Sequence, residues 1–492
     1  MQRKQLTLVI VSLLVVVLSV SLAYFTAQII GKGKDVSVTS ANLQIVFTDS
    51  DGALTETDIE PGWSATKTFT IKNDTKTEYK YNIVIKDLLN TFVTEGYLQY
   101  KITSTNDGYN MTEFKDIPKS STPKDTILAY SVVIPNGVTQ SYTIEFKYTN
   151  DENIDQSDDM GKQLSGTLFI TEGTELTFLT QLLADKSTRL TRTDFSKVLT
   201  DNNTNTLYTS TEDSKTVYYF AGNATDNWVK FGKNASNQDL YWRIIRTNSE
   251  GSIRLLYHGT STTATNAYIG TIKFNSTYND AMYVGYMYGT SGSQVNNRTN
   301  TNSSTIKGVI DTWYKDNLNS NYGKYLSATA IYCNDRSVTS GTYSVSSSFG
   351  YSAKTRLDVN KTPTYNCADT NDKFTADTST GNGKLTYPIA LMTADEVSFA
   401  GGKYGSNAPT WYYYNSANES STGSTWWWVL SPYIWDGSYA HVFGVHGSSW
   451  PGLLNSNLVL DTGGVRPVTS LKSCVKYSSG DGTATNPYTI QE

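Results

Sequence analysis

Histidine and cysteine, the side chains most often used in catalysis and metal binding, are scarce in this sequence. The 492 residues include three histidines and three cysteines. His441 and His446 lie five residues apart, and in an extended strand this spacing places them on opposite faces, a poor arrangement for a shared metal. The sequence has no GxSxG, HExxH or P-loop motif, and no GxGxxG after a strand. We therefore expect no catalytic residue, no metal site and no cofactor.

The three cysteines are too few for a disulfide scaffold and allow one pair with one cysteine left over. We favour a disulfide between Cys333 and Cys367, because both lie in one irregular, polar stretch. Closing this loop would contribute roughly 3–4 kcal/mol by the chain-entropy model. A metal site is the alternative, but Cys474 and the other two cysteines show no CxxC spacing.

Aromatic side chains are concentrated between residues 411 and 450. They include Trp411, three consecutive tyrosines, the run Trp426-Trp427-Trp428, and Trp450. Neighbouring side chains of a strand point to opposite faces, so Trp427 cannot share a face with Trp426 and Trp428. We expect some of these rings to be exposed unless the sheet is covered on both faces. Exposed aromatic rings are common at binding hot spots and stack on sugars, whereas the alternative is that they fill a core.

An apolar segment at residues 1–31 predicts the cellular location of the protein. Arg3 and Lys4 precede an almost unbroken apolar run from Leu6 to Ala23, which is long enough to span a bilayer as a helix. The small residues of Ser21-Leu22-Ala23 also fit a signal-peptide cleavage site. Both alternatives, a transmembrane anchor and a cleaved signal peptide, place the rest of the chain outside the cell.

The chain after this segment predicts a multidomain protein, with an all-β sandwich followed by an α+β module. Residues 35–172 show repeated alternation of apolar and polar residues, separated by turn residues. Residues 173–215 predict a short helix with Thr174 as a possible N-cap, followed by a polar linker or stalk.

The α+β module is expected over residues 216–492. A hairpin is predicted from Trp242–Arg246 and Ser252–Tyr257. Ile306, Val309, Ile310 and Trp313 fit one face of a helix. A second helix is expected after Thr393, where Glu396 completes a capping box. Further strands are expected over residues 426–430, 439–445, 457–460 and 465–471.

The N-terminal part resembles bacterial surface and biofilm-matrix proteins of the TasA/camelysin type. The resemblance covers residues 1–172. It rests on Leu22-Ala23-Tyr24-Phe25-Thr26-Ala27 and on the run from Glu60-Pro61-Gly62-Trp63 to Thr68-Phe69-Thr70-Ile71-Lys72-Asn73. It implies an export segment followed by a β-sandwich, and some of these proteins assemble into fibres.

The C-terminal part resembles an uncharacterised extracellular domain of gut Firmicutes. Trp426-Trp427-Trp428-Val429-Leu430-Ser431-Pro432 and Gly464-Val465-Arg466-Pro467-Val468 carry the resemblance. That family is similar to the C-type-lectin-like fold of formylglycine-generating enzymes and of variable proteins diversified by retroelements. The copper-handling cysteine pair of the former enzymes is not reproduced here.

In the diversified proteins, the region between these two motifs holds the ligand-facing residues. The corresponding candidates here are Tyr433, Trp435, Asp436, Tyr439, His441, His446 and Trp450. Arg466 is expected to have a structural role, most often pairing with a buried carboxylate. Pro467 is expected on an edge strand or at a strand end, because it cannot donate a ladder hydrogen bond.

These observations favour a cell-surface or secreted binding or adhesion protein. Its expected ligand is a glycan or a host or matrix protein, bound without calcium. A membrane contact would be made by the N-terminal helix. A net charge of −5 argues against nucleic acid. The alternative is a structural matrix protein that self-associates by strand exchange near residues 35–47, and an enzyme of unknown class is a third hypothesis.

Overall fold

Strands make up 40% of the computed structural model and helices 13%, as the frequent alternation of apolar and polar residues predicts. The structure describes residues 27–30, 36–40, 43–49, 53–56, 59–74, 76–173, 176–415 and 423–492. The chain divides into two compact units, an N-terminal unit ending at Leu176 and a C-terminal unit, Thr177–Glu492.

The predicted export segment of residues 1–31 lies almost entirely outside the described residues. Its described part is strand β1 (Ala27–Ile30). In the ranges that the structure describes, no helix is long and apolar enough to cross a membrane. The choice between an anchor and a signal peptide therefore stays a prediction.

The described residues of the N-terminal unit form two sheets. One has the strand order β4-β1-β11-β6-β9 and the other β2-β3-β5-β10-β7-β8. The further strands are β2 (Val36–Ser40), β3 (Leu43–Asp49), β4 (Ala53–Glu56), β5 (Ser64–Asn73), β6 (Tyr79–Asn90), β7 (Leu98–Ser104), β8 (Lys115–Asp116), β9 (Ser120–Ile134), β10 (Thr139–Tyr148) and β11 (Leu164–Glu172).

The two sheets share one hydrophobic core. Phe69 and Ile144 from one sheet are fully buried in the same cluster as Ile83 and Leu168 from the other. Along β5 the buried residues alternate with more exposed ones, which is the pattern of a strand with one buried face. This arrangement is compatible with the predicted β-sandwich.

The C-terminal unit is also mostly β-structured. Its strands are β12 (Thr188–Thr191), β13 (Asn202–Asn203), β14 (Thr206–Glu212), β15 (Lys215–Tyr219), β16 (Asn223–Ala224), β17 (Trp228–Lys233), β18 (Asp239–Thr247), β19 (Ile253–Gly259), β20 (Thr271–Lys273), β21 (Met287–Tyr288), β22 (Asn302–Ser303), β23 (Tyr332–Cys333), β24 (Val338–Ser340), β25 (Phe349–Tyr351), β26 (Lys373–Phe374), β27 (Ile389–Leu391), β28 (Thr410–Trp411), β29 (Tyr414–Asn415), β30 (Trp427–Trp435), β31 (Ala440–Val445), β32 (Leu454–Leu458), β33 (Thr462–Gly464), β34 (Pro467–Leu471), β35 (Tyr477–Ser479) and β36 (Thr489–Ile490).

Two larger sheets organise this unit. The first runs β12-β14-β15-β18-β19-β34-β27, with β17 also paired to β18. The second runs β20-β33-β30-β25-β24, and β31 and β32 extend it from β30. The predicted hairpin is β18–β19. Pro467 is the first residue of β34, which is the strand-end position expected for proline.

The helices of this unit are α1 (Phe178–Asp185), α2 (Gln294–Asn297), α3 (Thr305–Asn317), α4 (Ser352–Lys354) and α5 (Ala394–Ala400). The predicted amphipathic helix is α3, which buries Ile306 and Ile310. The predicted capping box at the start of α5 is present in both directions between Thr393 and Glu396.

The predicted linker of residues 173–215 is wrong. Strands β12 and β14 from this stretch pair in parallel and belong to the first large sheet. The stretch is rich in Asn and Thr, which resembles a loop in composition, but threonine also suits strands, and β14 pairs with β12 before it and β15 after it. The short helix is α1, and its N-cap is Thr177, whose side chain accepts a hydrogen bond from the Thr180 backbone NH. Thr174 lies outside the described residues.

The two ends of the C-terminal unit are joined to each other. Phe178 donates its backbone NH to the Val475 carbonyl, and its ring packs against Tyr488 with centroids 5.2 Å apart. The Tyr488 hydroxyl donates to Asp185 at 2.9 Å. Lys186 is buried and pairs with Asp226 at 2.8 Å. Helix α1 and the C-terminal residues therefore pack against each other.

Candidate functional site

The predicted ligand-binding residues all lie on or beside the hairpin β30–β31. Its tip spans residues 436–439, between Trp435 and Ala440. Asp436 closes the turn, because its Oδ1 accepts hydrogen bonds from the backbone NH groups of Ser438 and Tyr439 at 2.8 and 2.7 Å. The tip is thus fixed by its own polar side chain.

The tryptophan run at the start of β30 alternates between the two faces as predicted. The rings of Trp426 and Trp428 contact each other with centroids 4.5 Å apart, whereas Trp427 lies against Arg466. Trp427 and Trp428 are fully buried, and Trp428 donates its indole NH to the Ile272 carbonyl. Trp427 and Trp428 therefore belong to the core, whereas Trp426 is half-buried and packs against it.

Two of the predicted ligand-facing residues are buried, which contradicts the exposed position expected for them. Trp435 is 1% exposed, since its strand position pairs with both Phe349 and Ala440. His446 is 8% exposed and its ring stacks on Trp426. Burial lowers the pKa of His446 below its ordinary value. His441 lies near the start of β31, whereas His446 follows its last residue.

The hairpin tip brings three predicted residues together with one that was not predicted. The rings of Tyr439 and Tyr278 stack with centroids 5.1 Å apart and planes 12° from parallel. Tyr439 is 39% exposed. Beside it, Asp436 Oδ2 lies 3.1 Å from His441 Nε2. We call Tyr278, Asp436, Tyr439 and His441 the tip patch.

The tip patch combines an aromatic surface with a hydrogen-bonding carboxylate. Partial burial raises the pKa of Asp436, but the hydrogen bonds from His441 and from the backbone of Tyr439 outweigh it and lower the pKa overall. The carboxylate is therefore ionised at neutral pH, and it retains acceptor capacity beyond its three internal bonds. A sugar ring that stacks on Tyr439 could donate a hydroxyl to Asp436.

Tyr433 belongs to a second aromatic pair on the same hairpin. Its ring stacks on Tyr404 with centroids 5.3 Å apart, and the two hydroxyls are 2.7 Å apart. Asp358 accepts a long hydrogen bond from Tyr433 at 3.4 Å, and the Lys354 ammonium lies 5.5 Å from the Tyr433 ring centroid. Burial raises the pKa of Tyr433.

Trp450 is the most exposed of the predicted residues. It lies in the turn after β31 with 56% of its surface exposed. Its ring rests edge-on against His446, with centroids 5.3 Å apart. The buried His446 ring therefore supports the Trp450 ring. Trp450 is an exposed aromatic side chain separate from the tip patch.

A buried ionic network lies away from the hairpin tip, beside the disulfide. Glu396 Oε1 accepts from Arg246 Nε at 2.9 Å and from Arg254 Nη1 at 2.6 Å, and Arg246 also donates to Glu212. A small cavity of about 20 Å³ adjoins these groups. This volume is sufficient for about one water molecule. We interpret the network as structural.

Cys333 and Cys367, the pair favoured from the sequence, form a disulfide, and Cys474 is free and exposed. The loop that the disulfide closes carries Arg356, which bridges Asp335 and Asp395 at 2.6 and 2.9 Å. In the described ranges, no group of three or more histidine, cysteine or acidic side chains is arranged to hold a metal ion.

Arg466 is fully buried, as expected of a structural residue, but the expected carboxylate partner is not what it contacts. Its Nε donates to the Tyr257 carbonyl at 3.2 Å, and its guanidinium lies over the Trp427 ring at 5.0 Å. Arg466 immediately precedes β34 and contacts Tyr257 of the first large sheet and Trp427 of the second.

Tyr278 and Tyr404 are the residues of these patches that sequence reasoning missed. Both lie in polar stretches far from the hairpin in sequence, and no local pattern links them to it. Comparisons of this chain with protein-family models, with curated proteins and with solved structures found no match. The candidate site therefore depends on its geometry alone.

Proposed function

We propose that this protein is a cell-surface or secreted binding protein whose C-terminal unit binds a glycan at the tip patch. The observation that carries the proposal is the stacked pair of Tyr278 and Tyr439 beside an ionised carboxylate, Asp436, at an exposed hairpin tip. Aromatic rings give large contact area at little entropic cost, and an adjacent acceptor orients sugar hydroxyls.

Three further features support this function. Tyr404 with Tyr433, and Trp450 alone, offer additional aromatic contacts on or next to the same hairpin. The resemblance to diversified lectin-like proteins implies that this region carries ligand contacts, and a mostly β-structured unit with short helices is compatible with that fold. We propose no catalytic role.

The proposed location is the outer face of the cell membrane, or the medium if the N-terminal segment is cleaved. A disulfide between Cys333 and Cys367 supports an oxidising compartment, because cytoplasmic thiols are normally kept reduced. The apolar run from Leu6 to Ala23 supports export.

The test is binding of the purified full-length protein to a glycan array and to extracellular-matrix proteins, with and without calcium. We expect saturable, calcium-independent binding to a glycan. Tyr439→Ala should weaken it by about 10-fold or more, in the range of hot-spot aromatics. Tyr241→Ala, a half-buried tyrosine outside the aromatic patches, is the matched control and should bind normally.

Two results would contradict the proposal. One is the absence of saturable binding to every ligand class on the array. The other is binding that survives Tyr439→Ala and Trp450→Ala together, in a variant whose circular dichroism spectrum is unchanged.

A structural matrix protein is the second candidate function. Strand β2 (Val36–Ser40) is an edge strand of its sheet, paired with β3 alone among the described strands. An edge strand can accept a strand from another copy. This candidate predicts filaments whose amount rises with protein concentration in electron micrographs, and uniformly monomeric protein at all concentrations would exclude it.

A further inference from the structure

Two buried arginines of the C-terminal unit, Arg243 and Arg466, form no ion pair with any residue that the structure describes. Arg466 is 0% exposed and Arg243 is 5% exposed. Arg243 donates to the Asn227 side chain and the Ala224 carbonyl, both neutral acceptors, at 2.7 Å. Burial lowers the pKa of each arginine to about 9, so both remain cationic at neutral pH.

The terminal nitrogens of Arg466 are also without acceptors. Nη1 and Nη2 are both buried, and neither has a hydrogen-bond partner in the part of the chain that the structure describes. His258 is buried next to the two arginines, and its Nδ1 is likewise unpartnered there. Burial, and then the charges of Arg466 and Arg243, lower the pKa of His258, which is therefore neutral. The Trp228 ring links His258 to Arg243, because its centroid lies 4.3 Å from the His258 ring and 4.1 Å from the Arg243 guanidinium, and Arg466 Nε donates to the carbonyl of Tyr257, the residue before His258.

The described groups near the two arginines leave this positive charge uncompensated. Asp226 is the carboxylate that acts on Arg243, but its Oδ2 already pairs with buried Lys186. Tyr412 donates to Tyr413, and burial raises the pKa of both phenols, so neither supplies a phenolate. Two positive charges remain in a low-dielectric interior, an arrangement that costs several kcal/mol per ion unless an anion accompanies them.

We propose that the Nη edge of Arg466 binds a small monovalent anion, of the size of chloride, inside the C-terminal unit. The anion accepts N–H bonds from Arg466, and the positive charge of Arg243 and the Nδ1–H tautomer of His258 stabilise it. A water molecule would satisfy the N–H groups but would leave both charges uncompensated. Arg466 precedes β34, and Tyr257 belongs to β19. The anion thereby stabilises the packing of β34 against β19.

The test is the thermal stability of the full-length protein in sodium chloride and in sodium gluconate at equal ionic strength. Gluconate is too large to replace an enclosed halide. Chloride that binds only the folded state should raise the Tm of the C-terminal unit by about 3–6 °C between 1 and 100 mM, with saturation. Arg466→Gln should abolish this dependence, while Arg189→Gln, which alters an exposed arginine, should retain it.

Crystals grown in bromide provide a second measurement that does not require a folded variant. We expect an anomalous bromide peak within hydrogen-bonding distance of Arg466 Nη1 or Nη2. Equal Tm values in chloride and gluconate, an equal chloride response in Arg466→Gln, or the absence of an anomalous peak at this position would each overturn the proposal.

Discussion

Replacement of Glu396 by glutamine is the perturbation that most directly tests the buried ionic network. The substitution preserves the shape of the side chain but removes the carboxylate charge that Arg246 and Arg254 share. Arg246 retains Glu212 as a partner. Arg254 keeps only the Ile331 carbonyl among the acceptors that the structure gives it, so its buried charge becomes unpaired.

Two independent estimates give the size of the effect. Removal of one partner from a buried ion pair costs about 3–5 kcal/mol. The second estimate comes from the pKa of Glu396, which the two arginines hold at about 2 against burial, compared with an ordinary value of 4.5. That difference corresponds to about 3 kcal/mol of stability. We therefore expect Glu396→Gln to lower the free energy of unfolding by about 3–5 kcal/mol at pH 7.

The assay is urea unfolding followed by tryptophan fluorescence. Of the ten tryptophans, all except Trp63 lie in the C-terminal unit, so the signal reports that unit. Asp316→Asn is the matched control, because it makes the same carboxylate-to-amide change at an exposed position of α3. Its effect should be within about 0.5 kcal/mol.

The pH dependence provides the decisive comparison. Because the pKa of Glu396 is depressed in the folded state, its contribution is complete above about pH 4.5 and is lost as the pH falls toward 2. The stability gap between the wild-type protein and Glu396→Gln should therefore shrink by about 2 kcal/mol from pH 6 to pH 3. A gap that does not change with pH, or a variant as stable as Asp316→Asn, would refute this reasoning.

Three further outcomes are expected. Replacing Cys333 and Cys367 together by serine should destabilise the C-terminal unit by about 4 kcal/mol, since the disulfide closes a loop with a sequence separation of 34 residues; equal urea midpoints would contradict this. Trp435→Ala should cost about 3–5 kcal/mol in chemical unfolding, as a core residue does, and a loss of ligand binding without loss of stability would restore its predicted surface role. Gly452→Ala should cost about 2 kcal/mol or more, because φ is +64° and a Cβ would lie 2.4 Å from the Ala408 carbonyl; an unchanged Tm would argue against this backbone geometry.

Features encoded by neighbouring residues could be predicted from the sequence. The capping box of Thr393 and Glu396, the helix containing Ile306 and the alternation of the tryptophan run depend on spacings of one to four residues. Strand β30 extends beyond its predicted end, because Pro432 is accommodated where the ladder is irregular.

Features that depend on distant partners were predicted poorly. The burial of Trp427 and Trp428 requires Arg466 on one face and Ile272 on the other, and neither is near the run in sequence. Strand β14 falls in the predicted linker because most of its residues are polar, although its partners β12 and β15 are close in sequence. At the candidate site, the sequence predicts Asp436, Tyr439 and His441. It does not predict Tyr278, because only the fold brings Tyr278 close to these residues.

The joined ends of the C-terminal unit have a consequence for biosynthesis. Strand β34 lies between β19 and β27, and Tyr488 packs on Phe178, more than 300 residues earlier. A polypeptide that emerges with its N-terminus first cannot form these contacts until almost all of it has been released. Because non-local pairing slows folding, the unit should remain open during synthesis or translocation and close late. The N-terminal unit, whose strands end at Glu172, can fold before that moment.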